Sequence, residues 1–267
     1  AVTVDDVLRV SKKYFRPEQA KIIVTGKATE IAPGLEKLGY PVTYFDSYGN
    51  KTEKPVTEAK TTTVTVAQIT DNYLKAIGGA DKAKAVKTLF QKGKIETMGQ
   101  SGDYIAKSAA PNKTVTEFTI MGMTIKQVFD GQKGYANQAG QKMDLPAEIT
   151  APLVKTNSLF VPLSEGYKTA KVDGIFSENG VDYYKVVVSD ISRTDYYDVK
   201  TGLLMKSEQK MKTPQGEFVV TTTNKMYKSF DGILIPTEVT TEMGPQTMKV
   251  AISSVEVNKN VSDADFK

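Results

Sequence analysis

The sequence predicts a mainly β fold of the α+β class. It should be a strongly curved antiparallel sheet of about 10–11 strands covered by helices, preceded by a small α/β remnant. Three observations carry this. From about residue 88, short segments rich in β-branched and aromatic residues follow one another, separated by tight turn signals. Several of these segments alternate apolar and polar residues, the period of a half-buried strand. A helical pattern at 66–78, closed by Gly78-Gly79, stands just ahead of them and supplies a cover.

Taken in order, Thr3 reads as a helix N-cap, with Asp5 and Asp6 in the first turn complementing the dipole. Val4, Val7, Leu8, Tyr14 and Phe15 form an apolar stripe, and Arg16-Pro17 should stop the helix. Lys21–Gly26 reads as a short apolar strand buried on both faces. Ala32–Leu38 reads as a second helix closed by Gly39, and Val42–Phe45 as a last short strand. Such a strand needs neighbours that residues 1–50 barely supply. The piece is therefore expected to end a larger domain, with residue 1 a cut or processed end. Residues 51–65, with Pro55 and the Thr61-Thr62-Thr63 run, read as a linker.

The domain over 66–267 opens with a helix through Ile69, Tyr73, Leu74 and Ile77, then a short one from Asp81, taken as N-cap, to Val86. Strands are expected at 89–97, 103–109, 113–121 and 123–130. A helical interruption lies around Ala147–Asn157, between Pro146 and Pro162. Strands resume at 167–177, 181–189, 193–199, 203–210, 217–227, 233–242 and 246–257. Asn179-Gly180, Thr201-Gly202, Pro214-Gln215-Gly216, Asp231-Gly232 and Gly244-Pro245 make the turns, and connections this tight imply an antiparallel meander.

The chain has no His, no Cys and no Trp. Ser-His and Cys-His catalysis and His-containing zinc centres are thereby excluded. No catalytic residue, metal ligand or cofactor is expected. Of 35 basic residues only Arg9, Arg16 and Arg193 are Arg. Bidentate phosphate and guanine recognition favours Arg, so nucleic acid is not an expected partner, and the lysines read as a solvated surface. No run of 18 apolar residues is present, so no helical membrane span is expected. Asp190, Asp195 and Asp198, and Asp263 with Asp265, read as solvated turn acids, since no calcium loop is spelled out. Tyr183-Tyr184 and Tyr196-Tyr197 read as cross-strand packing pairs, with ligand stacking the alternative.

The apolar face of the curled sheet is the candidate site. All nine Met lie between Met98 and Met248, and Met is common on adaptable apolar surfaces. With the alternating strands, this selects Phe118, Ile120, Met121, Met123, Met205, Phe218 and Met226 as the expected lining of an apolar ligand site. An ordinary core under the covering helix is the alternative.

Two resemblances follow. Val2-Thr3-Val4-Asp5-Asp6-Val7, Lys13-Tyr14-Phe15-Arg16-Pro17-Glu18 and Ile22-Ile23-Val24-Thr25-Gly26 resemble the C-terminal end of an insulinase/pitrilysin-type zinc peptidase. With no His, none of that family's zinc or catalytic residues carries over. Tyr73-Leu74-Lys75-Ala76-Ile77-Gly78-Gly79, Tyr197-Asp198-Val199-Lys200-Thr201-Gly202-Leu203-Leu204 and Phe230-Asp231-Gly232-Ile233-Leu234-Ile235-Pro236-Thr237 resemble LolA/LolB-like periplasmic lipoprotein carriers and outer-membrane lipoprotein-sorting half-barrels. That resemblance implies a curved sheet whose concave apolar face lies under helices, and a periplasmic or outer-membrane-associated location. The expectation is a non-catalytic region of a peptidase-related envelope protein whose half-barrel binds an acyl chain, a lipoprotein or a hydrophobic peptide. The alternatives are an accessory domain that docks a peptidase subunit or upstream domains, and a structural tether.

Overall fold

The computed structural model describes residues 2–15, 20–26, 28–39, 41–46, 49–52, 60–178, 180–213 and 216–267. The expected helix stop at Arg16-Pro17, Asn179, Pro214-Gln215 and most of the expected linker lie outside the described residues. The chain divides into two units, Ala1–Thr57 and Glu58–Lys267.

In the first unit, α1 (Val4–Tyr14) begins at a reciprocal cap. The Asp6 N–H donates to Thr3 Oγ1 at 3.2 Å, and the Thr3 N–H donates to Asp6 Oδ2 at 3.2 Å. The apolar stripe is there, but no residue of α1 is buried. α2 spans Ala28–Glu36, starting earlier than expected. β1 (Tyr44–Phe45) pairs with β2 (Lys51–Thr52). The buried strand expected at 21–26 does not form: the segment is irregular, and Ile23 is 86% exposed. The reason is pairing. A strand exists through its ladder, and among the described residues no neighbour offers one.

The second unit starts with α3 (Val66–Ala76), capped by a Thr65–Gln68 box, and α4 (Ala80–Ala85). Gly79, not Asp81, is the N-cap of α4, and Asp81 sits in its first turn. Six strands follow: β3 (Thr88–Thr97), β4 (Gln100–Ala109), β5 (Lys113–Ile120), β6 (Met123–Phe129), β7 (Gly134–Gln138) and β8 (Gln141–Asp144). α5 (Ala147–Lys155) interrupts them. Seven more complete the unit: β9 (Ala170–Glu178), β10 (Val181–Val188), β11 (Arg193–Asp198), β12 (Leu204–Thr213), β13 (Gly216–Phe230), β14 (Ile233–Met243) and β15 (Gln246–Val257).

The fold is mainly β: one antiparallel sheet of 13 strands, not closed, with a few helices. Two meanders, β3–β8 and β9–β15, are joined side by side where the last strand, β15, pairs with β3. The seam is therefore central, and β8 and β9 are the edges. The sheet exceeds the expected strand count because β7 and β8 were not anticipated. Their hairpin turns at Ala139-Gly140, both with positive φ (52° and 83°), a primed turn that Ala does not advertise.

Register shifts at Tyr184/Val186, Tyr196/Tyr197 and Ile252/Ser254 mark bulges, which bend a sheet. At the last, Gly93 of β3 comes so close that a Cβ would lie 2.1 Å from the Ala251 carbonyl oxygen. On the inner side Ile69, Tyr73 and Leu74 of α3 and Ile77 at its C-cap, spaced along one helical face, pack in one core with Val186 and Val188 of β10, Leu204 of β12 and Ile233 of β14. The Leu234 N–H donates to the Ile77 carbonyl at 2.8 Å, pinning the end of α3 to the start of β14.

Candidate functional site

Two rows of same-face residues build a cleft. Val239 of β14, Val250 of β15 and Ile95 of β3 stand opposite one another across three strands. Tyr104 of β4, Phe118 of β5 and Ile125 of β6 form the second row. Residues opposite one another in a ladder share a face, so the bend turns both rows inward. Tyr73 of α3, with Leu159 and Phe160 after α5, closes the other side. The half-open cavity has a volume of about 510 Å³. It is lined mostly by apolar side chains, and none of its lining residues carries a charge. That volume and lining suit a small or chain-like apolar ligand.

Of the seven residues expected to line the site, Phe118 is on the cavity wall. Ile120 and Met123 face each other one step further along the same face of β5 and β6, beyond the wall. Phe218 pairs with Met211 toward the far end of β12 and β13, on the inner face but off the cleft. Met205 lies within the β11–β12 bulge and is half-buried. Met121 tips the β5–β6 turn, 75% exposed, and Met226 sits in β13 with positive φ, 57% exposed. The residues that do line the cleft include Leu89, Ile235, Ile252 and Phe160, which the Met pattern did not select. Alternation in β14, where Ile233, Ile235 and Val239 stand out, was the signal that pointed there.

Beside the cleft, under α3, lies a buried polar network. Asp195 was expected to be a solvated turn acid, yet it is 0% exposed. It shares the inner face of β11 with Tyr197, so the strand's alternation carries it inward. Arg193 Nε donates to its Oδ1 at 2.7 Å. Tyr167 Oη donates to Oδ2 at 3.0 Å and Tyr197 Oη to the same oxygen at 3.4 Å, while the two phenols are 2.6 Å apart. Burial raises both phenols well above their ordinary range, and the Asp195 charge adds to it. Fully partnered, this network is a structural brace.

The other expected groups are placed as follows. Asp198 Oδ1 accepts from the N–H groups of Lys200 and Thr201, closing the β11–β12 turn. Asp263 pairs with Lys113 at 2.6 Å and Asp265 with Lys107. Tyr184 opposes Tyr197, whereas Tyr183 opposes Asp198 and Tyr196 opposes Lys185. Tyr196 lies on the outer face, where Lys206 covers its ring at 4.4 Å. Among the described residues there is no cluster of three or more His, Cys, Asp or Glu suited to a metal, and no helix is long and apolar enough to cross a membrane.

No family model and no curated protein matches the sequence. Among solved structures, the chain is similar to a LolA superfamily protein from Nitrosomonas europaea, at 12% identity and TM-score 0.47, over 76% of this chain and 98% of that one. A DUF1329 family protein from Desulfovibrio piger matches at 12% identity and TM-score 0.47, over 76% and 97%. A domain named for outer membrane lipoprotein sorting, from Vibrio parahaemolyticus, matches at 9% identity and TM-score 0.46, over 74% and 97%.

Proposed function

We propose that the second unit is a non-catalytic binding module that holds one apolar chain, an acyl chain or a hydrophobic peptide segment, in the cleft between α3 and the concave face. The observation that supports this most is the lining: a half-open space of about 510 Å³ with mostly apolar walls, a few uncharged polar side chains such as Gln91 and Gln127, and no charged side chain. Each buried CH₂ of a ligand contributes about 0.8 kcal/mol, so a long chain has ample driving force. The bacterial-envelope location implied by the sequence resemblance accompanies this reading. Phe118 is carried forward as a wall residue, and Ile120 and Met123 as an extension of it toward the rim.

Mass spectrometry of the purified chain for co-purified lipid, together with uptake of an environment-sensitive apolar dye, tests it. Phe118→Asp and Val250→Lys should each abolish uptake while the sheet persists by circular dichroism. An intact sheet that takes up no dye and carries no lipid rejects the reading.

A further inference from the structure

We propose that the phenol of Tyr73 is the polar anchor of the cleft, selecting ligands that carry an uncharged hydrogen-bond acceptor, an ester or amide carbonyl, beside their hydrocarbon chain. This rests on the reading of the cleft as an apolar ligand site. Tyr73 is 7% exposed and bounds the cavity. Its ring is fixed edge-on against Tyr197, with centroids 5.6 Å apart. Tyr197 is itself held by Tyr167 and Asp195.

The hydroxyl of Tyr73 is the exception among the buried phenols. Those of Tyr167 and Tyr197 reach Asp195, that of Tyr196 reaches Glu208, and that of Tyr227 donates to the Leu204 carbonyl. Tyr73 Oη bonds to none of the described residues. Buried phenols ordinarily find a partner. Yet among the described residues no side-chain polar atom is both sealed off and unpartnered. The hydroxyl therefore keeps some accessible surface, and the cavity is the space that Tyr73 bounds.

The chemistry of its missing partner follows from the surroundings. Burial, with the Asp195 charge adding to it, raises this phenol above its ordinary range, so it stays a neutral donor at physiological pH. The lining offers no cation to meet a carboxylate or phosphate, and an unpaired ion in such a space is strongly disfavoured. A bare hydrocarbon fills the space but leaves the donor unpaired. A neutral carbonyl satisfies it.

The test uses the whole chain loaded with an apolar fluorescent dye and displaced by dodecane, methyl laurate or laurate at mildly alkaline pH. Wild type should bind methyl laurate about 5–10-fold more tightly than dodecane, the range expected for one net hydrogen bond. Laurate should be weaker than its ester. Tyr73→Phe should close the ester–alkane gap without lowering the melting temperature, because no protein hydrogen bond is lost. A gap that survives Tyr73→Phe, or laurate binding as well as the ester, overturns the anchor. Dodecane matching methyl laurate on wild type overturns the anchor and leaves the cleft standing. Failure of all three to displace dye overturns both.

Discussion

Asp195 is a carboxylate with no exposed surface, held by an Arg193 that is itself mostly covered. Removing one partner of a buried pair leaves the other uncompensated, so Asp195→Ala should destabilise the second unit by about 3–5 kcal/mol. Adding Arg193→Ala should cost less than the sum of the two single changes, because it removes the stranded guanidinium. Urea unfolding followed by circular dichroism reads both. Burial also holds back the ionisation of Tyr73, Tyr167, Tyr196, Tyr197 and Tyr227. Their folded pKa values stand above the unfolded value of about 10. The stabilisation is complete below that pH and is withdrawn as pH climbs through the folded values. The phenolate absorbance of these five should therefore appear only in step with loss of the sheet signal. Early ionisation with the sheet intact would contradict the burial described. In sequence, Asp195 looks like any acid near a turn, and only its parity with Tyr197 along β11 hinted at its inward course.

At the scale of elements, α3 is a fixed wall. Gly78 has φ +123°, and a Cβ there would lie 2.2 Å from the Gly232 carbonyl oxygen. Gly79 has φ +107° with nothing within 4 Å. Gly79→Ala should cost only the backbone strain, about 1–2 kcal/mol. Gly78→Ala should cost more and loosen the helix from β14, seen as faster amide exchange at Leu234. Equal effects would show that the close approach is unimportant. The C-terminal turn at Asp263–Phe266 behaves differently. It seats Phe266 against Val115 and Val128. Hydrogen bonds from Lys113 to Asp263 and from Lys107 to Asp265 hold both carboxyls below their usual range. Their stabilisation is present above about pH 4, the unfolded value, and is lost as pH falls through the folded values. This turn should gain amide exchange on acidification before β3 or β15 does, and Asp265→Asn should flatten that dependence.

For the whole molecule, the two units differ in what holds them. Residues 58–267 contain a contiguous core running from α3 across the sheet. The helix α1 of the first unit buries nothing. A chain of residues 58–267 should therefore unfold cooperatively with a melting temperature close to that of the full chain. Residues 1–57 alone should show no cooperative transition. The opposite pattern in calorimetry would overturn this division.

The sequence by itself determined the helix cap at Thr3, most strand positions, the antiparallel order within each meander, and the exclusion of imidazole and thiol chemistry. These are local matters: side chains bonding nearby backbone, two-residue alternation, and absent residue types. Tertiary structure decided that β15 pairs with β3, that Ile95, Val239 and Val250 share a row, and that Asp195 is buried. It also set Met121 at a turn and Met226 at an exposed, positive-φ position of β13 rather than in the cleft. Composition marked Met as the adaptable lining, but a cavity belongs to whichever inward-facing residues the bend brings opposite a helix. In this chain those residues lie as much as about 180 positions apart, as Tyr73 and Ile252 do, and no local period encodes such a meeting.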